Sequence, residues 1–392
     1  MSPNARIVDT AARLAREQLA PRAAHYDRAA ANPFESWRDL HAENLIAAVV
    51  PVAHGGLGLD MPTYVEVVRA LARGCASTAM TLHMHSTVMR FIEALGNDTQ
   101  RRRYFAEVVR HGRMFGSWGS EPAVSLSRTF LMETAIRADG DGYVIDGVKH
   151  FCTMALGASF YMVWCALDGE ADMGQALCLA LVPADAAGLA TDGRWDTLGM
   201  RGTYSPSVTF TGVRIDGDAL LGRPGAATRL GIVESFSLGY AAVYVGLAEA
   251  SLEFALGYAR ERVVKPENVP VAHDPTVQRH LGALVVHLDA ARLVLRDAAA
   301  GWEGASLGER SALANRAKYL ATEATLEVTS RAIQVVGGRG AYRELPLERA
   351  FRDARTATLM PPTLDRMAEA IGKGALGLTE AMFKMSGASP SA

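Results

Sequence analysis

The chain changes its hydrophobic period twice, which restricts it to folds with a β-rich part between two helical parts. Up to about residue 112, apolar side chains recur at helical spacing, as at Val65, Val68 and Leu71. Short runs that alternate roughly by two follow to about residue 228, and helical spacing then returns. We therefore predict an α+β multidomain protein. Its predicted parts are an N-terminal α-helical domain (1–112), a central β-barrel or sandwich (113–228) and a C-terminal four-helix bundle (229–392).

Local signals support this division. Asn97 and Gln100 have the spacing of a capping box, which predicts a helix that ends near Gly112. Two Asp-Gly pairs at 139–142 predict a hairpin turn. Short β-type runs predict a compact antiparallel arrangement, with strands near 143–145, 161–167, 176–182 and 208–215. In the C-terminal part the spacing predicts helices over 231–262, 275–302, 308–336 and 363–385.

Composition excludes several classes of function. Of the 392 residues, 49% are hydrophobic and 21% charged, and the net charge is −2. No basic excess indicates a nucleic-acid or membrane-surface partner, and no apolar run is long enough for a membrane span. The four cysteines (Cys75, Cys152, Cys165 and Cys178) show no Cys-x-x-Cys spacing. We expect reduced thiols and a cytoplasmic location.

A glycine cluster interrupts the C-terminal helical pattern. Gln334 precedes Gly337, Gly338 and Gly340, and the apolar residues before them are helical in spacing. Consecutive backbone amides in such a turn can hold an anion such as a phosphate. A simple helix C-cap explains the same glycines. Since no strand precedes the cluster, it is not the dinucleotide fingerprint of a βαβ unit.

Six segments in this order resemble the acyl-CoA dehydrogenase superfamily of flavoproteins. They are the glycine loop 51–58, Ser-Glu-Pro at 120–122, the hairpin 139–149 followed by Phe-Cys-Thr at 151–153, Leu-Gly-Met-Arg-Gly at 198–202, Gln-x-x-Gly-Gly-x-Gly at 334–340 and Arg-Asp at 352–353. The resemblance covers nearly the whole chain. It implies a flavin enzyme with a helical, β and helical domain order, usually a tetramer.

The resemblance also implies which residues hold the cofactor, expected to be FAD with FMN as the alternative. Ser120 and Thr153 would hydrogen-bond the ring and Phe151 would pack against it. Arg262, Gln334, Gly337 and Gly338 would meet the pyrophosphate, the last three from a neighbouring subunit, and Thr363 is a further candidate contact for a ribityl or phosphate oxygen.

The catalytic carboxylate of the family is absent from both of its usual positions. The first position holds Pro361 and the second holds Phe236, where the arginine that usually follows is replaced by Ser237. The expected substrate-facing residues are Ser125, Phe236, Tyr240 and Pro361. An ordinary coenzyme A thioester needs cationic or polar anchors for its phosphates, and the change at Ser237 weakens that expectation.

Two acids are candidates for a displaced base. Glu234 lies two residues before Phe236, about 200° around a helix, and Asp365 follows Thr363 by two. Solvated or structural roles are the leading explanation for both. Tyr240 and Tyr244 share a helix face as core or cleft residues. His83 and His85 are two apart, so we expect no metal site there.

Three functions remain open at this point. The leading expectation is α,β-dehydrogenation of an acyl-CoA or acyl-carrier thioester with a non-standard base, with electron-transfer flavoprotein as partner. The alternative is a flavin-dependent monooxygenase of the same fold, a group that lacks the glutamate and takes reduced flavin from a separate reductase. The third is a catalytically silent flavin- or acyl-binding protein. All three rest on likeness of fold and motif.

Overall fold

The N-terminal part of the protein is helical. The computed structural model describes residues 3–124, 131–230 and 232–378. The first helices are α1 (Pro3–Leu14), α2 (Ala20–Ala29), α3 (Phe34–Ala42), α4 (Met61–Ala72), α5 (Ala76–Leu95) and α6 (Asp98–His111). The predicted capping box is confirmed, because Asn97 accepts from the Gln100 N–H while the Gln100 side chain accepts from the Asn97 N–H. Gly112 ends α6 in the left-handed region.

The central part is one curled mixed sheet. Its strands are β1 (Phe115–Trp118), β2 (Ala135–Asp139), β3 (Gly142–Lys149), β4 (Phe160–Leu167), β5 (Leu177–Pro183), β6 (Leu189–Ala190) and β7 (Val208–Asp216), with a short helix α7 (Met173–Ala176). The strand order is β1-β4-β2-β3-β7-β6, and β5 pairs with β4. The prediction of a purely antiparallel arrangement is wrong for two pairs, since β4 runs parallel to both β1 and β2. Their connections are long enough for parallel pairing.

The turn and strand patterns of the sequence hold in this sheet. Asp139 pairs with Gly142, so Gly140 and Asp141 form the predicted two-residue hairpin turn. In β7 the inward side chains alternate by two, with one interruption between Phe210 and Val213. Gly212 lies in that interruption with a φ of +58°. A left-handed residue of this kind allows a local irregularity, after which the same face turns inward again.

The C-terminal part is again helical. Its helices are α8 (Ile232–Glu261), α9 (Pro275–Ala300), α10 (Leu307–Val336), α11 (Pro346–Ala357) and α12 (Leu364–Ala375), and a small hairpin of β8 (Val263–Val264) and β9 (Val269–Pro270) lies between α8 and α9. The first and last residues of α8, α9 and α10 lie within two residues of the predicted ones. The predicted continuation of the last helix through 376–378 is wrong, because Gly372, Gly374 and Gly377 weaken it and Gly377 adopts a φ of +73°. Residues 379–385 of that prediction lie outside the described residues.

Helices α8 and α10 run side by side in the same direction. Near their ends, Ala255 and Ala259 pack with Ala332 and Val335. Further back, Thr325 Oγ1 donates to the Tyr244 carbonyl at 2.8 Å. The two helices therefore begin at one end of the bundle and finish at the other.

None of the helices in the described ranges is long and apolar enough to cross a membrane. The predicted domain limits at 112 and 228 stay predictions.

Candidate functional site

The predicted flavin contacts of the central domain lie together on two adjacent loops. Ser120 follows β1, while Phe151 and Thr153 follow β3. The His150 N–H donates to the Ser120 carbonyl at 2.8 Å, which holds one loop against the other. We call Ser120, Phe151 and Thr153 the β-domain wall of the site.

A buried ion pair fixes the first of these loops. Glu121 Oε1 accepts from Lys149 Nζ at 2.6 Å, and both side chains are almost completely buried. The same carboxylate accepts from the backbone N–H groups of Glu133 and Thr134. Burial raises the pKa of Glu121, but the Lys149 charge and these hydrogen bonds outweigh burial and hold the pKa below its ordinary value. The position of Ser120 therefore depends on an ionised, fully paired Glu121.

Thr153 has one hydrogen-bonding proton left to donate. Its hydroxyl oxygen accepts from Ser205 Oγ at 3.2 Å, and its carbonyl accepts from Trp118 Nε1 at 2.9 Å. A hydroxyl donates one hydrogen bond and accepts two, so the O–H of Thr153 remains available. Half-buried at the wall, this hydroxyl fits the predicted contact with a flavin ring.

Phe151 presents an unusual aromatic face. Its φ is +53°, a left-handed conformation that few bulky residues adopt. Its side chain is 62% exposed, although an aromatic ring of this size is usually buried. Strained backbone of this kind concentrates at functional sites. The exposed ring fits the predicted stacking role.

A histidine ring is wedged against α8 at the predicted substrate-facing residues Phe236 and Tyr240. His83, on α5, places its ring edge-on against Tyr240 of α8, with the ring centroids 5.3 Å apart. A Cβ on Gly239 would lie 2.1 Å from the His83 ring, so only glycine leaves the notch into which the ring fits. We call Phe236, Tyr240 and the segment Met360–Pro362 the helical wall, and His83 lies behind its α8 part.

The hydrogen bonds of His83 fix it as a neutral ring. Nε2 lies 3.0 Å from the Phe236 carbonyl, which can only accept, so this nitrogen carries the proton. Nδ1 then accepts from the Tyr64 hydroxyl at 2.9 Å. Burial lowers the pKa of His83 to about 4. The residue is therefore uncharged at neutral pH.

His85 points the other way and connects α5 to the sheet. Its Nδ1 accepts from the Phe115 N–H of β1 at 2.9 Å, and its Nε2 donates to the Ile46 carbonyl at 3.0 Å. Helix α5 thus directs His83 toward α8 and His85 toward the sheet. Within the described ranges no group of three potential metal ligands occurs.

A buried lysine holds the segment that replaces the catalytic glutamate. Lys318 Nζ, on α10, donates to the Met360 carbonyl at 2.9 Å and to the Pro362 carbonyl at 2.8 Å. Pro361 lies between these two carbonyls and is exposed. Tyr244 adds a contact from its hydroxyl to Met360 Sδ at 3.2 Å. The segment is thus fixed against both α8 and α10.

The two candidate bases occupy different environments. Glu234 is only 6% exposed, and its Oε2 has no hydrogen-bond partner within the described ranges. Burial raises the pKa of Glu234, although Arg310 opposes this. Asp365 is exposed in the first turn of α12. Neither carboxylate has a described hydrogen bond to a wall residue.

The remaining predicted flavin contacts lie at the opposite end of the bundle. Arg262 follows α8, and Gln334, Gly337 and Gly338 mark the end of α10. All four are exposed. About 26 helical residues, or roughly 39 Å, separate Arg262 from Phe236. Thr363 instead adjoins the helical wall as the N-cap of α12. Ser125 lies outside the described residues.

The Arg-Asp motif has a structural role that its sequence does not reveal. Arg352 binds Asp27 of α2 through both terminal nitrogens and donates to the Leu198 carbonyl. Asp353 accepts from the Met200 N–H at 2.5 Å, and burial raises the pKa of Asp353 to about 6. Three parts of the chain therefore meet at this motif. The pairing with Asp27, 325 positions away, leaves no local signal.

Comparisons with known proteins agree with this architecture. The acyl-CoA dehydrogenase N-terminal, middle and C-terminal domain models match residues 4–111, 116–213 and 238–360. The chain is 30% identical over 375 residues to the dibenzothiophene monooxygenase of Rhodococcus erythropolis, covering 89% of this chain and 88% of that protein. It is 28% identical over 364 residues to the mitochondrial short-chain specific acyl-CoA dehydrogenase of Homo sapiens, covering 91% and 86%.

A solved structure resembles the protein over almost its entire length. TdsC from Paenibacillus sp. A11-2, in complex with FMN and indole, has a TM-score of 0.87 at 28% identity and covers 97% of this chain and 99% of its own. The domain order, the β-domain wall and these matches lead to one assignment. The chain belongs to the acyl-CoA dehydrogenase superfamily and is a flavin oxidoreductase.

Proposed function

We propose that the protein is a flavin-dependent monooxygenase that acts on a compact, uncharged aromatic or heteroatom-containing molecule. One observation carries the proposal: the two positions that hold the catalytic glutamate in dehydrogenases are Pro361 and Phe236. Removal of an α-proton needs a base within hydrogen-bond reach of that proton. A monooxygenase of this fold needs no such base. The proposal reverses the order of the two expectations drawn from the sequence.

The chemistry of the helical wall supports an uncharged substrate. Phe236 and Tyr240 present aromatic rings, and His83 behind them is neutral because burial lowers its pKa to about 4. Burial also raises the pKa of Tyr240, so its phenol stays protonated. Apolar and aromatic linings favour ligands of the same character. The likeness to a dibenzothiophene monooxygenase and to indole-bound TdsC favours the same class of substrate.

The β-domain wall would hold the flavin. The free O–H of Thr153 is a donor for the ring system, Ser120 supplies a second polar contact, and Phe151 supplies a stacking surface. Reduced flavin supplies the electrons that activate oxygen. The chain's own residues orient the ring and, through the apolar helical wall, exclude water from the substrate.

The residues at the far end of the bundle bear on which flavin is bound and on the assembly. Arg262, Gln334, Gly337 and Gly338 are too distant from Phe236 to serve the same flavin in one chain. We propose that these residues meet the pyrophosphate of FAD bound by another copy in a homotetramer. If FMN is the cofactor, they are not required. We further propose a cytoplasmic protein that receives reduced flavin from a separate reductase.

The test compares two reactions of one preparation. The purified protein, reconstituted with FAD or FMN, is mixed anaerobically with a panel of acyl-CoAs while flavin absorbance is followed. In parallel it receives a flavin reductase, NADH, oxygen and an indole or benzothiophene. We expect no bleaching by acyl-CoA and oxygen-dependent product formation with the aromatic compounds. Rapid bleaching by any acyl-CoA, without oxygenated product, would reject the proposal.

A dehydrogenase with a displaced base is the second candidate. It is favoured by Glu234, whose burial raises its pKa in the direction that suits a general base. In that case electron-transfer flavoprotein would accept the electrons. Glu234→Gln should then lower the rate of flavin reduction by at least about a hundredfold. Asp365→Asn is the matched control, since Asp365 is exposed. Equal rates in both variants would exclude Glu234 as the base.

A further inference from the structure

Lys318 is buried without an acidic partner. Its side chain is completely inaccessible to solvent, and burial lowers its pKa well below the ordinary value. Within the part of the chain that the structure describes, no carboxylate forms an ion pair with it. Burying an unpaired ammonium group is costly. A lysine that persists there needs a role that offsets this cost.

Its hydrogen bonds show what the lysine does. Both acceptors are backbone carbonyls, those of Met360 and Pro362, on either side of Pro361. Pro361 and Pro362 have no backbone N–H, so this segment has few donors with which to anchor itself. The Met360 N–H makes only a long bond of 3.4 Å to the Ala357 carbonyl. The two hydrogen bonds that Lys318 donates are therefore the main polar attachment of the segment.

The lysine also contacts the other half of the helical wall. Its Nζ lies 4.9 Å from the centre of the Tyr240 ring, in the geometry of a cation–π interaction. The carbonyls and the aromatic face together surround the amine with electron-rich groups. Lys318 thus joins the α8 part of the wall to the Met360–Pro362 part.

The position of the family's arginine on α8 lies in the same region. That position is Ser237, whose buried hydroxyl has no hydrogen-bond partner among the described residues. Ser237 lies one turn before Tyr240, which contacts Lys318. A basic group in this region, Lys318, therefore lies on α10 and donates to backbone carbonyls rather than to a carboxylate.

We propose that Lys318 is a positioning residue that sets the separation between Tyr240 and the Met360–Pro362 segment, and thereby the placement of the substrate against the flavin. This inference rests on the proposed function, because it takes the helical wall as the substrate surface. Lys318 acts through the wall and does not itself react.

The experiment uses the reconstituted full-length enzyme and three variants. Lys318→Met keeps much of the volume but removes the donors. Lys318→Gln keeps two N–H donors on a shorter chain. Thr322→Val, one turn further along α10, removes only a hydroxyl that donates to the Lys318 carbonyl and is the control. Each variant is measured for KM and kcat, for product formed per oxygen consumed, and for hydrogen exchange in peptides covering 357–364.

We expect Lys318→Met to raise KM about tenfold, to lower product per oxygen at least about threefold, and to speed exchange in 357–364 but not in α8 or α10. Lys318→Gln should fall between Lys318→Met and wild type, and Thr322→Val should match wild type in all three. If Lys318→Met binds flavin normally and keeps wild-type KM, coupling and exchange, the proposal is wrong. If it does not fold, Lys318→Gln decides, and wild-type values there overturn the proposal.

The same variants separate this inference from the proposed function. If the wild-type enzyme makes no oxygenated product but is bleached by an acyl-CoA, the monooxygenase proposal fails. The positioning role is then read from exchange in 357–364 and from the acyl-CoA concentration that gives half-maximal bleaching rate. Faster exchange and a higher half-saturating concentration in Lys318→Met support it, and unchanged values refute it.

Discussion

The two walls of the site differ in what holds them in place. The β-domain wall is fixed by a fully satisfied network in which Glu121 meets Lys149 and two backbone N–H groups. The helical wall is fixed by a wedged neutral histidine and by a lysine without an acidic partner. The first departs from the family's motif at two residues, with Ser120 in place of threonine and Phe151 in place of tryptophan, but keeps a hydroxyl and an aromatic ring there, whereas the second has lost the base at both positions. The proposed function therefore separates a flavin side that keeps its chemistry from a reaction side that has changed.

The largest effect is expected from breaking the β-domain network. Lys149→Met leaves the buried Glu121 carboxylate without its cation, which should cost about 3–5 kcal/mol of unfolding free energy. Denaturant unfolding measures the loss, and a flavin titration should show weaker binding because the Ser120 loop is released. Arg214→Met is the control, since its ion pair with Asp139 lies largely in solvent and should contribute less than about 1 kcal/mol. Equal losses in the two variants would show that Glu121 does not depend on its lysine.

The helical wall is expected to be sensitive to one methyl group. Gly239→Ala places a Cβ 2.1 Å from the His83 ring, and such overpacking should cost about 1–3 kcal/mol and displace the ring. Gly257→Ala on the same helix is a matched control. No atom lies within 4 Å of a Cβ there, so the change should stabilise α8 by up to about 1 kcal/mol. Thermal unfolding and substrate KM test both variants, and a tolerated Gly239→Ala would mean that the wedge is not tightly packed.

The contact between α11 and the Met200 loop should respond to pH through Asp353. Burial raises its folded-state pKa to about 6 from an ordinary 3.8, so the folded state binds this proton more tightly than the unfolded state. This tighter proton binding stabilises the folded state in full below about pH 3.8, and the stabilisation is lost as pH rises through about 6. Asp353→Asn keeps an oxygen for the Met200 N–H but cannot titrate.

The difference in unfolding free energy between wild type and Asp353→Asn should therefore change by about 1–3 kcal/mol between pH 4 and pH 7. Wild type should become less stable relative to the variant as pH rises. Chemical denaturation at several pH values measures it. A difference that stays constant over this range would show that Asp353 titrates normally.

Whether a feature could be predicted from the sequence depends on how far along the chain its partners lie. Elements defined by neighbouring residues, such as the Asn97 cap and the turn at 139–142, leave local patterns, and the structure confirms them. Helix α11 was not predicted, because its buried positions, Leu347, Ala350 and Ala354, are spread among charged residues. The contacts of Glu121 and Lys318 could not be predicted, since their partners are largely backbone groups or residues far along the chain. The absence of the catalytic glutamate was visible at once, but the structure was needed to show how the replacement segment is held.

The smallest effect tests whether the β-domain wall touches the flavin at all. Thr153→Val removes the unused hydroxyl proton of Thr153 and keeps the β-branched shape, so folding should change little. If the hydroxyl donates to the ring, flavin binding should weaken by about 0.5–1.5 kcal/mol, or roughly two- to tenfold, and the flavin absorbance bands should shift. Thr211→Val is the control, because Thr211 is exposed on β7. If Thr153→Val binds flavin as tightly as wild type with unshifted bands, the ring lies elsewhere, and the proposed separation of a flavin side from a changed reaction side would lose its basis.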